Sequence, residues 1–326
     1  MDNVCHTLAG AALAESGLAR RTALGYATLL IGANLPDLDV LAFAGEPLAD
    51  LEWRRGWSHG VIALAVLPFL LTAFMLLIDR ASQRMRRAVI PSEARGGRLL
   101  LLSCIAIASH PVLDTLNTYG VRWLVPWSGD WSYGDTLFIV DPWVWLALGT
   151  GVWISRKRRR ARERNLIPEV PARRALLFTA CYIAIMALTN VAARRAAVRE
   201  IGSAHPGPVR SLMTAPVPAN PFARQVVVEQ DDTFRVAAFS WLSSPHIDAA
   251  SIRSFPAGAP SHPAVPAAAA TPQGRRFLGW ARFPSFSIDS SGGGYIVHIV
   301  DLRYALRPGA RFGSVSVNVG RDAAFR

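Results

Sequence analysis

Residues 60–78 carry no charge and are long enough to cross a bilayer as a helix. Within lipid every backbone N–H and C=O must be paired internally, so such a run predicts a membrane helix. Runs at 99–113, at 136–154 (interrupted by Asp141-Pro142) and at 175–193 have the same character. The chain has 326 residues, 51% of them hydrophobic, with a mean hydropathy of +0.25. The expected fold is mainly α: a membrane helical bundle with about four long transmembrane helices over residues 1–200. An N-terminal helical hairpin, residues 3–19 and 22–33, is too short for full spans and is expected to insert among them.

The composition shifts near Gly202. His205-Pro206-Gly207-Pro208 and the Pro-rich residues 216–221 predict a linker over 201–222. Strand patterns at 225–229, 234–241, 277–288, 295–304 and 312–319 predict a small β-rich soluble domain over 223–326. Residues 255–274 are Pro- and Ala-rich and read as irregular, and Gly292-Gly293-Gly294 sits where a hairpin turns.

The net charge of +12 is concentrated in two loops, 80–98 and 155–174. Short Arg-rich loops stay cytoplasmic and suit anionic lipid, and no aromatic or fold signal accompanies them, so no nucleic-acid partner is expected. Cys5, Cys104 and Cys181 are isolated in apolar segments, which excludes a disulfide framework or thiolate metal site. The N-terminus lacks the pattern of a removable signal peptide.

Chemistry-bearing residues punctuate the apolar runs. His110 and Asp114 lie four apart, one turn apart on one helix face, with Asn117 near the same stripe. Imidazole and carboxylate are ready metal ligands, and ionisable groups at membrane depth mark functional sites. The structural alternative is a helix-end histidine whose tautomer Asp114 holds. Pro111 predicts a kink or a fresh helix start. Pro36-Asp37-Leu38-Asp39 places two carboxylates at i and i+2, suited to a turn or a helix stop. Trp53-Arg54-Arg55-Gly56-Trp57-Ser58-His59 brings a histidine to the start of the first long run; its tryptophans and arginines also fit an interfacial anchor. Asp130 and Asp135 read as solvated loop carboxylates, whereas Asp141 is placed deeply enough to need a partner.

With both Arg-rich loops in the cytoplasm, His59 begins its span on the outer side. His110, Asp114 and Asn117 then end theirs there, and His6 with Asp37 and Asp39 joins them if Arg20-Arg21 is cytoplasmic. Polar groups from separate stretches thus reach one membrane level, which predicts one site facing the periplasm, as does the C-terminal domain.

These residues resemble a known family, the bacterial inner-membrane metal-dependent hydrolases of the YdjM/LexA-binding type. The resemblance rests on His6, Leu35-Pro36-Asp37-Leu38-Asp39, Arg55-Gly56-Trp57-Ser58-His59 and Ser109-His110 through Asp114 to Gly120. It covers the first 150–200 residues and not the tail. Arg54 and Val40 stand where that pattern would carry further histidines. The order His, Asp, His, His-x-x-x-Asp also resembles part of zinc-dependent phospholipase C, which implies His6, Asp37 or Asp39, His59, His110 and Asp114 as ligands.

The expectation is a membrane-bound, metal-dependent hydrolase of the bacterial inner membrane. It would act on a phosphoester, such as a lipid or cell-envelope substrate, with zinc as the divalent metal and manganese as the alternative. The metal set would be His6, Asp39, His59, His110 and Asp114. Asp37 would take the water's proton, and Asn117 and Arg55 would hold phosphate oxygens. Asp39 is favoured over Asp37 as ligand because Asp37, after Pro36, is placed to cap the following turn. The rival expectation is a metal-binding or transport membrane protein without hydrolytic chemistry.

Overall fold

The computed structural model of the chain describes residues 1–43, 48, 51, 53–86, 94–161, 166–257 and 260–321. Arg87, Arg162 and Arg164 of the two basic loops lie outside the described residues. The chain divides into two compact units, Met1–Ala42 with Arg54–Leu188, and Phe43–Trp53 with Thr189–Arg326.

The first unit is helical. Asp2 caps α1 (Asn3–Glu15) by accepting from the backbone N–H groups of Val4 and Cys5. After a 3-10 turn at Leu18–Arg21 comes α2 (Gly25–Asn34), which runs into a 3-10 segment at Leu35–Phe43. The long helices are α3 (Val61–Arg86), α4 (Gly96–Thr115), α5 (Pro142–Ala161) and α6 (Val170–Ala204). Pro111 does not break α4, which continues through it to Thr115.

Small residues bring the first helices together. A Cβ on Gly10 would stand 2.8 Å from the Leu29 carbonyl oxygen and 2.9 Å from the Ala33 Cβ. On Gly32 it would stand 2.7 Å from the Ala106 Cβ. Thus α1 touches α2, and α2 touches α4, almost backbone to backbone. His6 is one turn before Gly10 and His110 one turn after Ala106, so the same close approach brings the two imidazoles together.

Among the described residues, three helices are long and apolar enough to cross a membrane: Val61–Arg84, Gly96–Thr115 and Val170–Ala204. This corrects the expected four. Residues 136–141 are not helical, α5 starts only at Pro142, and Arg156 to Arg160 charge its last turns. The uncharged part of α5 is therefore too short to qualify. It nevertheless reaches from one end of the unit to the other. At its start, Trp145 Nε1 donates to Asp2 Oδ2 (3.1 Å). Near its finish, Arg156 Nε (3.2 Å) and Arg159 Nη2 (2.8 Å) meet buried Glu15 at the far end of α1. Arg20 pairs with Glu169, and Arg173 Nε donates to the Ser16 carbonyl (2.9 Å), at that same end.

The larger segment of the second unit begins within α6. Ala193, Ala196, Ala197 and Ile201 pack with Val226, Val228, Ala237 and Phe239. Those residues belong to an antiparallel sheet of β1 (Val209–Val217), β2 (Asn220–Gln230), β3 (Thr233–Ser240) and β4 (Arg253–Pro256). A second antiparallel sheet holds β5 (Pro284–Ser291), β6 (Gly294–Asp301) and β7 (Ser314–Gly320). Met213, Val227, Phe234, Phe283, Val300 and Leu302 form the core that joins the two sheets.

Three expectations for this part are corrected. The expected linker 201–222 contains the end of α6 and all of β1, whose Leu212 to Pro216 are buried. The irregular stretch 255–274 includes the helix α7 (Ala264–Ala270). Residues 277–280, expected as strand, finish α8 (Pro272–Trp280), because Thr271 caps Gly274 N–H and Pro272 opens the helix.

Candidate metal centre

Four side chains from three segments converge in the first unit: Asp37, His59, His110 and Asp114, all buried. One ligand atom from each lies within 4.8 Å of the others. Asp37 comes from the 3-10 segment Leu35–Phe43, His59 from the turns before α3, and His110 and Asp114 from one face of α4. The separations are short. His59 Nε2 is 3.1 Å from His110 Nε2 and 3.2 Å from Asp114 Oδ2. His110 Nε2 is 3.4 Å from Asp114 Oδ2 and 3.5 Å from Asp37 Oδ1, which is 3.6 Å from His59 Nε2.

Backbone and hydroxyl partners fix both rings. His110 Nδ1 lies 2.7 Å from the Ala33 carbonyl oxygen; a carbonyl only accepts, so this nitrogen carries the proton. His59 Nδ1 lies 2.7 Å from Ser58 Oγ, which donates its own proton to Asp39 Oδ2. In the neutral rings both Nε2 atoms then present lone pairs toward the same place.

The fit to a metal can be tested on these atoms. Asp37 Oδ1 and Asp114 Oδ2, the oxygens facing the imidazoles, are buried without a hydrogen-bond donor. Two lone-pair nitrogens and two orphaned carboxylate oxygens in one buried place repel one another unless a cation lies among them. A tetrahedral ion with ligand bonds of 2.0–2.1 Å requires ligand–ligand edges of about 3.3–3.4 Å, and the observed separations bracket that value. The donor set suits zinc or manganese.

Two expectations change here. Asp39, read as the ligand, stands behind His59, with Oδ2 3.7 Å from Nδ1, the nitrogen turned away from the cluster. Asp37, read as the proton acceptor, is the carboxylate that faces the two imidazoles. The 3-10 segment after Pro36 turns Asp37 inward, and the Ser58 hydroxyl takes Asp39 to the back of the ring. Asp39 is thus connected to His59 through the Ser58 hydroxyl, the place a partner of a metal-bound histidine would take.

His6 stands beside the group of four. Its ring stacks on His110 with centroids 3.7 Å apart, and its Nε2 is 3.3 Å from Asp114 Oδ1, the oxygen turned away from the other imidazoles. The Met1 amino nitrogen and Arg55 Nη2, the latter at 3.2 Å, meet that same oxygen. Asp114 thus faces the four-residue cluster with one oxygen and His6 with the other.

Arg55 and Asn117 complete the wall. Arg55 is 5% exposed, adopts a left-handed φ of 56° and stacks on Tyr119 with 4.6 Å to the ring centroid. Non-glycine residues rarely take that conformation, and such strain collects at functional sites. Arg55 Nη1 donates to Asn117 Oδ1 (3.4 Å), which also accepts from Tyr119 N–H (2.8 Å). Arg55 Nε and Asn117 Nδ2 remain buried donors with no acceptor among the described residues.

Asp141 does not join the cluster. Its Oδ1 caps α5 by accepting from Trp143 and Val144 N–H, and Oδ2 accepts from Tyr182 Oη (3.2 Å). Ser58 and the Ala33 carbonyl set the tautomers and are not among the candidate site residues read from the sequence. Ser58 had one signal, its place beside His59; a backbone carbonyl has none.

The sequence profile of a family described as YdjM inner membrane protein matches residues 1–196. That span includes every residue of the cluster. No curated protein and no solved structure matches the chain.

Proposed function

The chain belongs to the YdjM inner membrane protein family, and from that premise we propose that it is a membrane-bound, divalent-metal-dependent hydrolase of phosphoesters. One observation carries the reading: Asp37, His59, His110 and Asp114 aim two lone-pair nitrogens and two carboxylate oxygens that accept no hydrogen bond at one buried place. Zinc, or manganese in its stead, when bound there lowers the pKa of a coordinated water toward 7 and so supplies hydroxide at neutral pH.

The remaining roles belong to this chain's residues. Ser58 and Asp39 hold His59 in one tautomer, and the Ala33 carbonyl does the same for His110. Arg55 Nε and Asn117 Nδ2 are donors that an anionic oxygen would satisfy, which favours a phosphoryl substrate over a neutral amide or ester. The membrane setting favours a lipid or cell-envelope phosphoester. The charged ends of α1, α5 and α6 meet far from Asp2 and Asp141. That arrangement supports both Arg-rich loops on the cytoplasmic side, with the metal site and the C-terminal domain toward the periplasm.

A second reading, metal binding without chemistry, has its own observation. Four protein ligands complete a tetrahedral zinc, whereas hydrolysis needs a further position for water, gained by expansion to five ligands. One experiment separates the two. The full chain, purified in detergent, is assayed for bound metal and for cleavage of bis(p-nitrophenyl) phosphate and phospholipids. Chelator-sensitive cleavage restored by zinc or manganese supports the hydrolase. Stoichiometric metal with no cleavage of any phosphoester supports the second reading.

A further inference from the structure

A strongly basic cavity of about 800 Å³ lies in the second unit, lined by none of the metal-centre residues. Arg194, Arg195 and Arg199 of α6, Arg210 of β1 and Arg282 before β5 line it. Two of these guanidinium groups are tethered to one backbone oxygen, that of Leu212, by Arg194 Nη1 (2.9 Å) and Arg282 Nη2 (3.3 Å). Arg210 pairs with exposed Asp232. Arg195 and Arg199 are exposed and meet no carboxylate among the described residues. Glu200, beside them, is already engaged: its carboxylate accepts from the backbone N–H groups of His246 (3.1 Å) and Ile247 (2.8 Å). The cavity therefore keeps a positive excess that its own carboxylates do not neutralise.

Its place along α6 points to the counter-charge. The uncharged residues 175–193 make about 28 Å of helix at 1.5 Å per residue, close to the hydrocarbon thickness of a bilayer. Arg194, Arg195 and Arg199 occupy the next 9 Å or so, the depth of the headgroup layer. A forked guanidinium binds phosphate oxygens in pairs, and clustered arginines in a cleft focus their field on an anion. Val198, 40% exposed, adds apolar surface to the same wall.

We infer that this cavity binds the phosphate of an anionic phospholipid headgroup in the leaflet where α6 leaves the membrane. The inference does not depend on the hydrolase reading, since it concerns other residues and needs no turnover.

Native mass spectrometry of the full chain tests it, with detergent micelles containing equimolar phosphatidylglycerol and phosphatidylcholine of the same acyl chains. Wild type should retain phosphatidylglycerol in preference, by about tenfold or more. Arg195→Glu with Arg199→Glu should erase the preference, and Arg195→Lys with Arg199→Lys should keep most of it. Equal retention of the two lipids by wild type overturns the proposal without reference to any variant, as does an undiminished preference in the Glu variant. Displacement of the lipid by millimolar inorganic phosphate also overturns it, assigning the cavity to a soluble anion.

Discussion

His59 Nε2 and His110 Nε2 face each other across 3.1 Å, from residues 51 apart in the chain. Each ring's other nitrogen is committed, His110 Nδ1 to the Ala33 carbonyl and His59 Nδ1 to Ser58 Oγ. The pair is set as two acceptors, an arrangement that a cation stabilises and that a neutral core disfavours. The orphaned oxygens of Asp37 and Asp114 complete the same demand.

Replacing His110 with Ala should therefore remove the metal while the helices remain inserted, because α4 keeps its apolar faces. Elemental analysis of the purified variant should fall from about one divalent ion per chain to near none. Full occupancy in that variant would rule out the cluster as the binding site.

The two carboxylates after Pro36 should behave differently. Asp37→Asn removes a ligand and should abolish tight metal binding. Asp39→Asn removes only the partner behind Ser58 and should weaken affinity by about 10–100-fold, so the variant still fills at saturating metal. Titration with zinc against a competing chelator measures both. Retained affinity in Asp37→Asn together with loss in Asp39→Asn would restore the assignment expected from sequence.

Arg55→Lys should keep the metal yet lower phosphoester turnover by about a hundredfold, because an ammonium cannot reproduce the fork that reaches both Asp114 and Asn117. The measurement is kcat at saturating substrate alongside metal content. Unchanged kcat would remove Arg55 from the reaction.

Orientation can be read from one engineered thiol. With Cys5, Cys104 and Cys181 replaced, a cysteine at exposed Ser290 should react with an impermeant reagent in intact spheroplasts. Labelling only after lysis would place the second unit, and with it the site side, in the cytoplasm.

Much of the molecule was legible in the sequence because its physics is local. Apolar run length marks three of the long helices, and the spacing of His110 and Asp114 puts them on one face whatever surrounds α4. The alternation at 225–229 and 234–241 likewise announced β2 and β3. The extent of α5 is not legible, because run length does not reveal that residues 136–141 stay non-helical. Residues 277–280 depart from the expected strand because the Thr271-Pro272 helix start outweighs their strand-like composition. His6, expected as a ligand, lies beside the group of four, and which oxygen of Asp114 it meets depends on how closely Gly10 lets α1 approach α2.

The sequence by itself determined that the chain enters a membrane, that polar groups gather near the ends of apolar runs, and that imidazoles and carboxylates dominate them. Only the tertiary structure decided that Asp37 rather than Asp39 faces the two imidazoles. The same holds for both Nδ1 protons pointing away from the cluster. Which of two carboxylates two residues apart turns inward is set by a 3-10 segment and the Ser58 hydroxyl, and which nitrogen carries a proton is set by Ala33 of another helix. These are contacts between parts of the chain that local spacing does not relate, so they exist only once the helices have packed.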